Sequence, residues 1–382
     1  MGKGVLIAAG LAAALPVAAK AQDAAPVYST DRRDPWNRLF HLLYARKLRA
    51  RVASPENSRA PWRTITRLEG GDLPEFFFPP DAGYLLEEPR RSRLRSALEA
   101  EVSSPTLRGR TAEGRILFQQ DLWNRFDALH ALAAKDRHAM QLARLLAGLM
   151  AKVALTTDEI KGMRISFAEA AQERVDPRLF EADSPWRELV SYFELGPHPE
   201  GGTTLHARRA GWRLVFRRFV RIPPEAGGEK RGKGLPSGTI ALLLETPLAV
   251  SAEGELHPVP LLLAAQVRVV QPGGDFNFLH APRLAISASP RRLRLEAFGQ
   301  HDLVPQLGGA FPRTDGHPLV PVRQSCVLCH GRDGGTLGTD SMQLRPRTEM
   351  LAPVNTVEEE RVLRAKRHSE SFRALLRFFR GD

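Results

Sequence analysis

Gly238-Thr239-Ile240-Ala241-Leu242-Leu243-Leu244-Glu245-Thr246-Pro247-Leu248-Ala249-Val250 is the stretch on which the reading of this 382-residue chain hinges. Upstream of it, apolar residues recur at helical spacing. Here Leu, Ile and Val crowd together without that spacing, and Thr204 to Ile222, Val259 to Gln271 and Arg283 to Phe298 read alike. Parts of these stretches alternate at period two, as in Arg292-Leu293-Arg294-Leu295-Glu296. Glu253-Gly254 and Pro272-Gly273-Gly274 break them as turns. Alternation sends successive side chains to opposite faces, so the region predicts four or more half-buried antiparallel strands.

Working outward, the text on both sides is helical. Asp34-Pro35 reads as an N-cap followed by proline at the first helical position, opening a helix over Trp36 to Arg49. Pro55 to Tyr84 is rich in Pro and Gly around Phe76-Phe77-Phe78-Pro79-Pro80, and predicts an irregular segment that lays aromatics on the core. Glu87 to Ser103 reads as a helix, and Gly114 to Val153 as a helical pair. Phe118, Leu122, Phe126 and Leu129 form one stripe of that pair, and Leu142, Leu145, Leu146, Leu149 and Met150 the other. His130 and His138 fall near the turn between them, where capping or surface roles are ordinary for histidine. Weaker helical text runs from Thr157 to about Phe193, with Ser184-Pro185-Trp186 as another helix start. A last helix spans Val357 to Arg380, with Phe372, Leu375, Leu376 and Phe379 on one face. Acidic Glu358 to Glu360 at its start suit a helix docked on a core, ahead of one lying on a membrane. The class is therefore α+β: a mainly helical region over 22–200, a β-rich region over 201–305 and a C-terminal segment over 306–382 that ends in a helix.

Composition is that of an ordinary globular protein, 43% hydrophobic and 26% charged, with a net charge of +12. Such a charge favours anionic partners: an acidic protein, the face of a bilayer or nucleic acid. The basic residues are scattered, which a solvated arginine-rich surface would also produce. Gly227-Gly228-Glu229-Lys230-Arg231-Gly232-Lys233-Gly234 nearly spells a phosphate-binding loop. Gly234 stands where Ser or Thr would hold magnesium, and no clean strand-to-helix junction surrounds it, so the stretch reads as a basic linker. No Ser-His-Asp order, paired carboxylates or H-E-x-x-H argues for a hydrolase.

Met1 to Ala21 has a basic start at Lys3, an alanine-rich apolar run from Gly4 to Ala19 and an A-x-A cleavage site at Ala19-Lys20-Ala21. The run is broken by Pro16 and is shorter than the roughly 20 strongly apolar residues a spanning helix needs. It predicts a cleaved secretory signal, hence a periplasmic protein of about 360 residues, and export sets nucleic acid aside.

The chain has two cysteines, and both lie in Ser325-Cys326-Val327-Leu328-Cys329-His330-Gly331. C-x-x-C-H is the spelling of a haem c attachment site. Two thiols at this separation can add across the two vinyl groups of a porphyrin, and the adjacent imidazole is delivered to the iron as proximal ligand. A zinc site would want a second ligand pair, and a redox dithiol would want a helix where Gly331-Arg332-Asp333-Gly334-Gly335 stands. In these five residues and the export signal the chain resembles the c-type cytochromes. That resemblance implies one covalently attached haem c held by Cys326 and Cys329, iron bound by His330, and electron transfer with an acidic redox partner, membrane-surface association being a further option. The motif falls late, with His330 well past the middle of the chain, which predicts a haem at a seam between the terminal segment and the larger body. The second axial ligand stays open among Met342, Met350, the histidines His301, His317 and His368, and a vacant site. Two other functions stay open with it: a peroxidase-like haem enzyme or sensor with an open iron, and a non-redox envelope protein that binds a ligand on its β region.

Overall fold

The structure, a computed structural model, describes residues 26–50, 63–68, 82–163, 178–179, 183–191, 213–224, 238–270, 276–280, 283, 287, 296–297, 303–305, 319–321, 349–352 and 357–381. The signal predicted over 1–21, the phenylalanine run at 76–78, the stretch read as a basic linker over 227–234 and the alternating 292–295 lie outside these residues. Helices and an antiparallel sheet make up the described chain, an α+β architecture.

Helix α1 spans Pro35–Tyr44. The Asp34 carboxylate accepts from the Trp36 and Asn37 N–H groups at 2.8 and 3.2 Å, and Pro35 occupies the first turn, where its missing N–H costs nothing. Fully buried Asn37 then ties down the segment before the helix. Its carbonyl accepts from Val27 and Tyr28 N–H, and its amide donates to Ser29 and Asp31 carbonyls. The helix predicted to Arg49 stops at Tyr44, because Ala45–Ala50 pairs antiparallel as β1 with β2, Arg63–Leu68. That ladder satisfies the backbone as further helical turns would, and it puts a strand inside the stretch expected to be irregular.

After a 3₁₀ turn at Gly83–Leu85 come α2, Arg90–Ser103, then α3, Ala112–Ala133, and α4, Arg137–Val153. Thr111 caps α3 through Gly114 N–H, and Asp136 caps α4 through His138 and Ala139 N–H. The stripes behave as predicted: Phe118, Leu122, Phe126, Leu129, Leu146, Leu149 and Met150 have no exposed surface, and Leu145 is half-buried. Trp36 stacks on Phe118 at 4.0 Å between centroids. Among the described residues no helix is long and apolar enough to cross a membrane.

Among the described residues, the helical text after α4 supports one short helix, α5, Thr157–Gly162. The predicted helix start at Ser184-Pro185-Trp186 opens a strand instead: β3, Trp186–Ser191, lies between β4, Leu214–Arg221, and a later strand. Pairing on both edges outweighs the local cap signal, although the Ser184 hydroxyl still accepts from Trp186 N–H. Then follow β5, Thr239–Val250; β6, Leu256–Pro258; β7, Ala264–Val270; β8, Phe276–His280; β9, Glu296–Ala297; β10, Leu303–Pro305; β11, Leu319–Pro321; and β12, Glu349–Ala352. The large sheet runs β12-β3-β4-β5-β7-β8-β9, with β6 paired to β5, and every pairing is antiparallel. It therefore recruits β3 from the mainly helical stretch and β12 from the C-terminal one.

The C-terminal helix is two helices, α6, Val357–His368, and α7, Glu370–Phe379. Ser369 breaks them by accepting from Phe372 N–H and donating to the Lys366 carbonyl. Phe372 and Leu375 dock into the core, with Phe372 5.7 Å from the Trp123 ring. Lys366 is fully buried over Trp123, with its ammonium 3.4 Å from Asp127, which also receives Arg213 at 3.0 Å.

Helix and sheet are joined by side chains that substitute for backbone partners. Gln119 of α3 donates to the Val250 carbonyl at 2.8 Å and accepts from its N–H at 2.9 Å, and Gln120 donates to the Leu248 carbonyl. Gln119→Ala strips the buried Val250 N–H of its acceptor, which costs about 1–3 kcal/mol. Urea denaturation should show that loss with an unchanged slope, whereas a change below about 0.5 kcal/mol would mean the bond is dispensable.

Candidate functional site

Cys326, Cys329 and His330 lie outside the described residues, as do Met342, His301 and His317. The structure describes the chain on either side of them. β11 ends at Pro321, shortly before Cys326, and pairs with β10 in register Leu303↔Pro321 to Pro305↔Leu319. β12 begins at Glu349 on the outer edge of the large sheet, where Met350 stands opposite Val190 and Leu351 opposite Leu189. The motif thus falls in a connection that leaves one paired strand and returns to another. His368 closes α6 on the exposed surface. His130 stacks on Phe126 at 5.7 Å, and its half-buried ring leaves Nδ1 without a partner among the described residues. His138 sits in the first turn of α4, where its N–H meets the Asp136 cap.

The described residues bring together three polar groupings that sequence reasoning missed. In the first, Asp121 of α3 receives Arg283 through two hydrogen bonds, of 3.1 and 2.9 Å, together with the Tyr28 phenol. Tyr44 donates to the Asp121 carbonyl at 2.7 Å. Burial first, and the Asp121 charge second, push the Tyr28 phenol well above its ordinary range. All of these side chains are buried, so the grouping matches a core carboxyl group with a guanidinium and a phenol and staples the N-terminal segment to α3. Its signal in the sequence is the run Gln119-Gln120-Asp121 set between the apolar Phe118 and Leu122.

In the second, the Thr157 hydroxyl at the start of α5 lies 3.1 Å from Ser251, 3.0 Å from Glu253, 3.1 Å from Glu255 and 3.2 Å from His257 Nε2. A hydroxyl against an imidazole against a carboxylate invites comparison with a nucleophilic triad. Glu255, however, contacts the same Nε2 at 3.3 Å, whereas a triad needs the carboxylate on the other ring nitrogen to orient the base. The cluster is a clasp that fastens α5 to the turn between β5 and β6, next to the capping box of Thr156 and Glu159. Among the described residues no group of three or more His, Cys, Asp or Glu could hold a metal ion.

The third is a cleft of about 330 Å³ beside the starts of α1 and α3, lined by Ser29, Thr30, Asp34, Arg108, Thr111 and Ser287 among others. Its inner cation is already matched, since Arg110 pairs with Asp34 at 2.5 Å and lies 4.2 Å over the Trp36 ring. Exposed Arg108 is left at the rim.

Compared with known proteins, the chain matches no family model, no curated protein and no solved structure.

The clasp makes a pH prediction. Hydrogen bonds from the Ser251 hydroxyl, then from backbone N–H groups including that of Thr157, pull the Glu253 carboxyl from 4.5 down to about 2. A lowered folded-state value means that the contribution of this group is complete above about pH 4.5 and fades as pH falls towards about 2. The protection of the Thr157 amide, the slowing of its exchange relative to an unstructured peptide at the same pH, should therefore fall across that window in the native protein. In Glu253→Gln the window should vanish, and an unchanged profile would remove Glu253 from the clasp.

Proposed function

We propose that this chain is an exported electron-transfer protein that carries one haem c, bonded through Cys326 and Cys329, with His330 as proximal iron ligand. The observation that carries the reading is that the two cysteines of the chain stand two residues apart with a histidine directly after the second. This donor set suits the group: two thiols for two vinyl carbons, and a neutral imidazole for iron. When bound, the haem supplies a one-electron couple whose potential follows its axial ligands and its burial. The polypeptide's tasks are to hold the porphyrin at two points, to present the imidazole and to limit water at the iron. Met342 and Met350 are the thioether candidates for the second position, and His301, His317 and His368 the imidazole ones. The signal at 1–21 supports the same reading, because thioether attachment in this class takes place beyond the inner membrane.

The test is to export the protein from a host that matures c-type cytochromes and to take its intact mass and pyridine haemochrome spectrum. One haem per chain is expected, lost to acid-acetone extraction in Cys326→Ala/Cys329→Ala. His330→Ala should alter the iron's spectrum while the porphyrin stays attached. Six-coordinate, low-spin iron supports electron transfer, and five-coordinate, high-spin iron would shift the reading to a haem enzyme or sensor. A mature chain with free thiols and no Soret band would end it.

A further inference from the structure

We propose that the outer face of α7 and the adjoining edge of α4 form a docking surface for an acidic protein. The observation behind it is that α4 and α7 set exposed arginines beside half-buried aromatic rings with almost no acid between them. On α2, by contrast, half-buried Arg91 pairs with Glu88 at 2.8 Å and exposed Arg95 with Glu99 at 2.7 Å, although exposed Arg93 has no carboxylate partner among the described residues. On α4 and α7, exposed Arg144, Arg373 and Arg377 have no carboxylate partner among the described residues. From Arg137 to Val153 the sequence of α4 holds no Asp or Glu, and α7 has one acidic residue, Glu370, in its first turn. The Arg144 guanidinium lies 5.2 Å over the Phe378 ring, which joins the edge of α4 to α7. Arg380 is left out of the face, because it turns towards Gly254, in the turn that carries Glu253 and Glu255.

Between these cations lie Leu376, Phe378 and Phe379, half-buried against the core. Arginine and aromatic rings over a packed floor are the composition that protein interfaces favour, and unpaired positive charge selects a partner of the opposite sign. A lipid surface would be gripped by apolar side chains standing free of the core, whereas Phe372 and Leu375 are committed to it. The reading that the protein is a haem carrier supplies the purpose of the contact, an encounter with an acidic redox partner. The face itself is inferred from the helices alone.

The experiment measures binding of the full haem-loaded protein to immobilised poly-L-aspartate as a function of ionic strength, with phosphatidylglycerol vesicles in parallel. Arg144→Glu/Arg373→Glu/Arg377→Glu should bind polyaspartate at least tenfold more weakly at low salt and should lose most of its salt dependence. A control with the same change of charge at exposed Arg32, Arg33 and Arg108, before α3, should move affinity less than twofold. Arg→Lys at the three face positions should keep binding, and Arg→Gln should weaken it, which separates charge from any folding defect in the Glu variant. Equal losses in the face and control variants would overturn the proposal. So would face-dependent binding to vesicles in preference to polyaspartate. Polyaspartate reads charge and not iron, so a haem-loaded protein that fails here refutes the face alone, and a chain without haem refutes the electron-transfer reading alone.

Discussion

Helix α3 is buried along most of its length, so Gln119, Gln120 and Asp121, which it carries into the core, have to find partners inside the protein. That constraint organises the structure. Gln119 and Gln120 meet the backbone of β5, Asp121 meets Tyr28 and Arg283, and Asp127 meets Arg213 and Lys366. The sheet, the N-terminal segment and the C-terminal helices are thus each referred to one helix. Hydrogen bonds of this kind contribute little net stability but are expensive to leave unmade, so they determine which element faces which.

The same helix governs where charge goes. Cations that approach α3 are matched, as Arg283 is by Asp121 and Lys366 by Asp127, and Glu188 and Arg217 form a similar buried pair on the sheet between β3 and β4. Much of the net charge of +12 is then left for the surface. On α2 carboxylates pair with Arg91 and Arg95, and among the described residues none pairs with Arg144 of α4 or with Arg373 and Arg377 of α7. Under the docking proposal, that unmatched charge beside aromatic rings is what would give the surface a preferred side for an acidic partner.

From Leu303 onwards the described residues form the separate β10–β11 pair, the edge strand β12 and the docked helices α6 and α7. The cysteine pair falls between the first two of these.

The sequence by itself determined the α+β class, the α3–α4 pair with its buried stripes, the cap at Asp34, and the C-x-x-C-H spacing on which the proposed function rests. Those features are local: a 3.6-residue period, a cap and a cysteine-histidine motif each need only a few neighbouring residues. Tertiary structure decided that the helix beginning at Pro35 yields to a strand at Ala45, that Trp186 opens a strand and no helix, and that Ser369 divides the last helix in two. It also decided the partners of Asp121, Thr157 and Lys366, which are residues far apart in the chain. Apart from Ser369, whose cap partners Lys366 and Phe372 are near neighbours, the outcome turned on a ladder, hydrogen-bond or counter-charge partner supplied from another segment, and no short window of sequence contains both halves of such a pair.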